Sequence, residues 1–196
     1  VATNWHTQVE YLDLSKISGK KKSLSWKDIF YSSDDLWKEH KNHNDPKNRP
    51  IHNEQIILKQ LHEDALKEDF YALYIHSKGV KRSITDPHTY PYIQDWVDYL
   101  LYFNVHKHKI AIDELDEFDV CSVNLLQFKD CNSFHFGGNF WWSKSSYIKK
   151  LNPKLKLTYK GPEVWITQKT GAKLLSLWNS ETDHYSQSYP IDRYRN

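Results

Sequence analysis

Tyr71-Ala72-Leu73-Tyr74-Ile75-His76-Ser77-Lys78-Gly79 decides the fold class. The run from Tyr71 to His76 (YALYIH) is short, aromatic and apolar, and the Ser-Lys-Gly that follows has the composition of a loop. That pattern reads as a buried strand ending in a turn. Downstream, residues 91–104 place Ile93, Trp96, Val97, Leu100 and Leu101 at helical spacing, which predicts a helix. Residues 119–126 (DVCSVNLL) read as a second strand, and 134–142 (FHFGGNFWW) as an extended segment broken by two glycines. A short helix is expected over 145–151, stopped by Asn152-Pro153. Upstream, Asn53 is the expected N-cap of a helix that sets Ile56, Ile57, Leu61 and Ala65 on one face, after a polar loop over 38–50. Strands alternating with helices define an α/β layered fold with a largely parallel or mixed sheet, and 196 residues suit a single domain.

Composition excludes several classes. Hydrophobic residues make up 39% and charged residues 27%, so a folded globular domain is expected rather than a disordered tail. The 27 Lys plus Arg are nearly balanced by 25 Asp plus Glu, without the basic excess of a nucleic-acid coat. Eight Trp and thirteen Tyr are abundant; such rings fill cores, and they also suit sugar rings and nucleobases. Cys121 and Cys131 have neither metal-site spacing nor scaffold density, so both read as reduced thiols of a cytoplasmic protein. No apolar run approaches the roughly 20 residues of a membrane span, so no transmembrane anchor is expected.

Four places carry candidate chemistry. Residues 76–82 (HSKGVKR) put an imidazole, a hydroxyl, three cations and a glycine just beyond a strand, a combination that binds phosphate or is simply a basic turn. The P-loop spacing is absent. The glycine pair in HFGGNFWW needs a reason inside an aromatic strand, either a ligand approaching the backbone or close packing. Glu163, in Gly161-Pro162-Glu163-Val164-Trp165, is a candidate general base, or a carboxylate favoured at a helix start. Asp183-His184-Tyr185 offers one possible metal ligand.

In this order, YIHSKG, a helix carrying Asp95-Trp96, DVCSVNL, HFGGNFWW and PEVW resemble a family of GT-A glycosyltransferases with YLHTKG and GNFWW motifs, the chlorella-virus capsid-glycan enzymes among them. The matching blocks run from about Tyr71 to Tyr185. The resemblance implies a Rossmann-like three-layer α/β/α fold with a central mixed, mostly parallel sheet. Its N-terminal part would bind the nucleotide and its C-terminal part the acceptor. It implies a UDP-sugar donor, a glycan or hydrophobic-carrier acceptor, and a divalent cation, Mn2+ or Mg2+. Ala2, Thr3 and Asn4 would then meet the nucleoside. His76, Ser77, Lys78, Gly79, Gly137, Gly138 and Asn139 would bind the donor, with Trp141 and Trp142 on the acceptor. No Asp-x-Asp follows the strand at 71–75, so His76 and His184 are the metal-ligand candidates by position. Glu163 holds the place of the base in inverting members. A non-catalytic carbohydrate-binding module and a nucleotidyltransferase are the competing readings. The first is usually all-β, and the second would show paired carboxylates near Lys78, which are absent.

Overall fold

A computed structural model describes residues 53–76, 86–129, 133–154 and 160–195. Helix α1 (Asn53–Ala65) leads to strand β1 (Tyr71–Tyr74), then α2 (Tyr90–Leu101), which continues as a π-helical turn, Tyr102–His106. Next come α3 (His108–Glu114), β2 (Val120–Ser122), β3 (Leu125–Gln127), β4 (Phe134–Phe136) and β5 (Trp141–Lys144). Two short helices, α4 (Ser145–Ile148) and α5 (Gly161–Trp165), precede β6 (Leu174–Ser176) and a final 3-10 turn at Ile191–Arg193.

Four strands form one sheet in the order β1-β5-β2-β6, and β3 with β4 form a separate antiparallel ribbon. In the larger sheet β5 runs against both neighbours, pairing Tyr74 with Trp141 and Cys121 with Trp142, while β2 and β6 are parallel. The sheet is therefore mixed, as the alternating pattern predicts. Among the described residues it is not mostly parallel, because β5 inserts between β1 and β2 in the opposite direction.

The predicted strand over 119–126 divides in two. Asn124 adopts a left-handed backbone, φ 50°, and redirects the chain from the sheet into the ribbon. The predicted helix over 91–104 begins one residue early, with Pro91 in its first turn, where a missing N–H is harmless. Its α-helical part stops at Leu101. The side-chain amide of Asn104 donates back to the Leu100 carbonyl (2.9 Å), and the widened turn closes through Lys107 N–H to Tyr102 O (2.9 Å).

Successive strand residues face opposite sides, and here both sides are covered by helices. Trp141 packs among Leu58 and Ala65 of α1, Tyr147 and Ile148 of α4, and Trp165 of α5. Trp142 points the other way, onto Ala111 and Leu115 beside Cys121. Both indoles are core residues, 0% and 2% exposed, which corrects their expected role at the acceptor. Their N–H groups are satisfied internally, Trp141 by Asn139 Oδ1 (3.2 Å) and Trp142 by the Asn104 carbonyl (2.6 Å). Neither ring has a face left for a sugar.

Candidate functional site

Because Tyr74 lies opposite Trp141, Ile75 and His76 at the end of β1 come beside the turn that precedes β5. His76 thus meets the glycine pair: its Nε2 lies 3.0 Å from the Gly138 carbonyl, and its ring stands edge-on to Phe140. A carbonyl only accepts, so Nε2 carries the proton.

Gly138 needs to be glycine for two reasons. Its φ is +95°, and a Cβ there would sit 2.5 Å from Leu100 Cδ1. The turn presses onto α2, so packing accounts for this glycine. Gly137 N–H donates to the Asn124 carbonyl (2.8 Å), and a Cβ on Gly137 would meet Asn124 Cβ at 3.1 Å. Asn139 is also left-handed and buried, its side chain committed to Trp141.

Asn124 is the hub that pattern reading passed over. Its Oδ1 accepts the Tyr99 hydroxyl (3.1 Å) and the Ser180 N–H (2.8 Å). With the carbonyl end so occupied, the amide end faces His184, Nδ2 to Nε2 at 3.3 Å, and Ser180 Oγ reaches the same nitrogen at 2.8 Å. An amide N–H only donates, so Nε2 acts as the acceptor towards Asn124. The ring is sandwiched by Trp96 (5.1 Å, 6°) and Tyr99 (5.4 Å, 24°), and Tyr189 meets it edge-on. Burial pushes the Tyr99 hydroxyl well above its ordinary pKa, with Tyr189 and Tyr194 adding to the shift. Asp183, next in sequence to this buried ring, is an exposed turn-former. Its carboxylate accepts the Ser186 hydroxyl (2.7 Å) and the Tyr185 N–H (3.1 Å), which together hold its pKa below the usual value.

His76, Gly137, Gly138 and His184 are thus linked through Asn124 into one polar seam beneath the aromatic cluster. Ala2, Thr3, Asn4, Ser77, Lys78 and Gly79 lie outside the described residues. Glu163 is half-buried in the first turn of α5, where the helix dipole favours a carboxylate, and α5 packs against β4. Among the described residues no group of three or more His, Cys, Asp or Glu could hold a metal ion. His76 and His184 each direct Nε2 to a protein partner, so the described residues do not form a cage for the divalent cation.

The strands and seam define a mixed α/β domain whose polar groups converge on a glycine turn at one end of the sheet. The chain belongs to the family described as Domain of unknown function (DUF8361), whose model matches residues 6–191. No curated protein and no solved structure gives a significant match. Among the described residues no helix is long and apolar enough to cross a membrane.

Proposed function

We propose that this protein is a glycosyltransferase of the GT-A type, moving a sugar from a UDP-sugar to an acceptor hydroxyl on a glycan or hydrophobic carrier. One observation carries the reading: the YIHSKG and HFGGNFWW blocks, remote in sequence, are neighbours through the β1–β5 pairing and the His76–Gly138 hydrogen bond. Two motifs of one resemblance thereby border one place. In α/β sheets ligands bind beyond strand ends, and the cations of Lys78, Lys81 and Arg82 follow β1 directly in sequence. Helices on both faces of the sheet also argue against an all-β carbohydrate-binding module.

The reaction class sets the roles. The acceptor oxygen attacks the anomeric carbon, and the bond from that carbon to the UDP oxygen breaks with its electron pair leaving on UDP. In an inverting transfer the acceptor proton passes to a carboxylate, for which Glu163 is the candidate. Lys78 would neutralise charge that grows on the departing diphosphate. Mn2+ or Mg2+ belongs to this reading as a partner of the diphosphate, with no protein ligand assigned. A cytoplasmic setting goes with it, and Cys121 is a free buried thiol.

Calorimetry of UDP in manganese and in EDTA tests the donor assignment, paired with a screen of UDP-glucose, UDP-galactose, UDP-xylose and UDP-rhamnose for UDP release. UDP should bind more tightly with manganese, and Lys78→Ala should weaken it by about 1.5–3 kcal/mol, the scale of a charge-assisted hydrogen bond. Absence of UDP affinity in both buffers, with no UDP released from any donor, would sink the reading.

A further inference from the structure

Between the β3–β4 ribbon and α5 lies a cleft of about 510 Å3, within the roughly 300–1,000 Å3 range of small-molecule sites. One wall is the ribbon, through Leu125 and Phe134. The other is α5 and the segment that enters β6. The ribbon has its root at Asn124 and Gly137, so the cleft adjoins the polar seam without belonging to it.

The lining is specific in its chemistry. Leu125, Val164 and Leu174 give the lining its apolar groups, and Phe134, 44% exposed, adds an aromatic one. Around it are Gln168, Lys169 and Thr170, and among the described residues no carboxylate lines the cleft. Gln168 spends one amide hydrogen on the Asn152 carbonyl (3.3 Å), which leaves its Oε1 as an acceptor. The Lys169 ammonium and the Thr170 hydroxyl have no hydrogen bond or ion pair among the described residues. Among the described lining residues a metal or organic cation finds no negative charge, and their one ammonium is too little for a diphosphate. A wholly apolar ligand would strip water from three polar side chains without replacing it. A neutral sugar ring fits both halves: its C–H face lies on an aromatic ring while its hydroxyls meet amide, hydroxyl and ammonium groups at the sides.

We infer that this cleft is a saccharide-binding site that holds the part of an acceptor glycan remote from the reacting hydroxyl. That role, though not the binding itself, rests on the transferase reading. Remoteness follows from the helix geometry. Gly161, Val164 and Trp165 line the cleft, and Glu163 falls on the opposite side of the same helix. Binding energy gathered here would be realised away from the bond being made.

The test uses the full chain with cellotriose, maltotriose, xylotriose, mannotriose and chitotriose as probes, followed by saturation-transfer NMR and titration. At least one should bind, and affinity should drop about tenfold or more in Phe134→Ala, the scale of one lost ring contact. Phe134→Leu keeps apolar bulk and removes the ring, so it should lose binding too, and circular dichroism confirms that both variants fold. UDP release from UDP-sugars in water should be unchanged in both. No binding by any trisaccharide, or affinity retained in both variants, overturns the inference and leaves the transferase reading standing if UDP release persists. Ring-dependent binding in a protein that neither binds UDP nor releases it from any donor supports the cleft and removes the transferase reading.

Discussion

Asn124 combines a backbone need with a side-chain need, and the two can be separated by mutation. A left-handed backbone costs most L-residues about 1–2 kcal/mol, less for asparagine and nothing comparable for glycine. Asn124→Gly therefore keeps the turn, yet it leaves the Ser180 N–H without its acceptor and costs the Tyr99 hydroxyl and His184 Nε2 one of their two partners each. Loss of a buried partner costs about 1–3 kcal/mol, so urea denaturation should show at least that decrease. Asn124→Ala should fall further, because alanine adds backbone strain to the same loss. A glycine variant as stable as wild type would mean that the seam contributes nothing to folding. Glu163 poses a different question, since its place in the first turn of α5 suits a dipole partner as well as a base. Glu163→Gln keeps the shape and removes basicity. The transferase reading expects transfer to slow by about 10²–10⁴ with UDP affinity unchanged. Turnover at the wild-type rate, with at most about 1 kcal/mol lost in stability, would assign it to the helix start alone.

The glycine turn is where one element fixes another. An alanine at Gly138 would need a disfavoured φ and would also push into the methyls of Leu100, which is fully buried on α2. Overpacking of this kind costs about 1–3 kcal/mol, so thermal or urea unfolding of Gly138→Ala should show a loss of that order plus the backbone term. In the Leu100→Ala background the packing part should shrink while the backbone part stays. An undiminished penalty there would show that φ alone makes the glycine necessary. This turn also marks the limit of what the chain discloses about itself. Strand β1, helix α2 and the extended character of 134–142 are legible because each follows from local composition and period. The break in the strand expected over 119–126 is not legible, because one asparagine in an apolar run looks like a tolerated polar residue and its φ of 50° is not written in the sequence. The reason for Gly138 lies on another helix, and no local window contains Leu100. Trp141 and Trp142 look available as ring platforms only if one face of the strand is open, and burial of both faces is decided by α1, α4, α5 and α3 together. His184 sits in irregular chain without period, so its motif was visible and its hydrogen-bond partners were not.

Across the whole molecule, the interior is built from hydroxyls and a thiol that must stay protonated. Tyr99 donates to Asn124 Oδ1 and Tyr147 to the Ile166 carbonyl (2.8 Å), oxygens that offer no proton in return. Burial is the leading reason that both phenols are pushed above their ordinary pKa. Tyr194 is pushed up to about 12, by burial first and then by Asp98 and Asp95. The Cys121 thiol is likewise pushed up to about 12 by burial and Glu114, with Lys144 opposing. In each case the folded protein holds its proton more tightly than the unfolded chain does. The unfolded chain releases protons first as pH rises, so the slope of stability against pH is negative there. The contribution is complete below the ordinary values, 9.0 for the thiol and 10.0 for the phenols, and is lost as pH climbs through the folded values, near 12 for Cys121 and Tyr194 and higher still for Tyr99 and Tyr147. Urea unfolding should accordingly show stability that begins to fall near pH 9 and drops steeply above pH 10. Absorbance of phenolate should reveal a group of tyrosines that ionise only together with unfolding, apart from the exposed ones such as Tyr71 and Tyr185. Cys121→Ala should flatten the decline that begins near pH 9 and leave the phenolic part in place. If all tyrosines titrate reversibly near 10 while the fold persists, the interior admits water or charge where the packing of Tyr99, Tyr147 and Tyr194 excludes both.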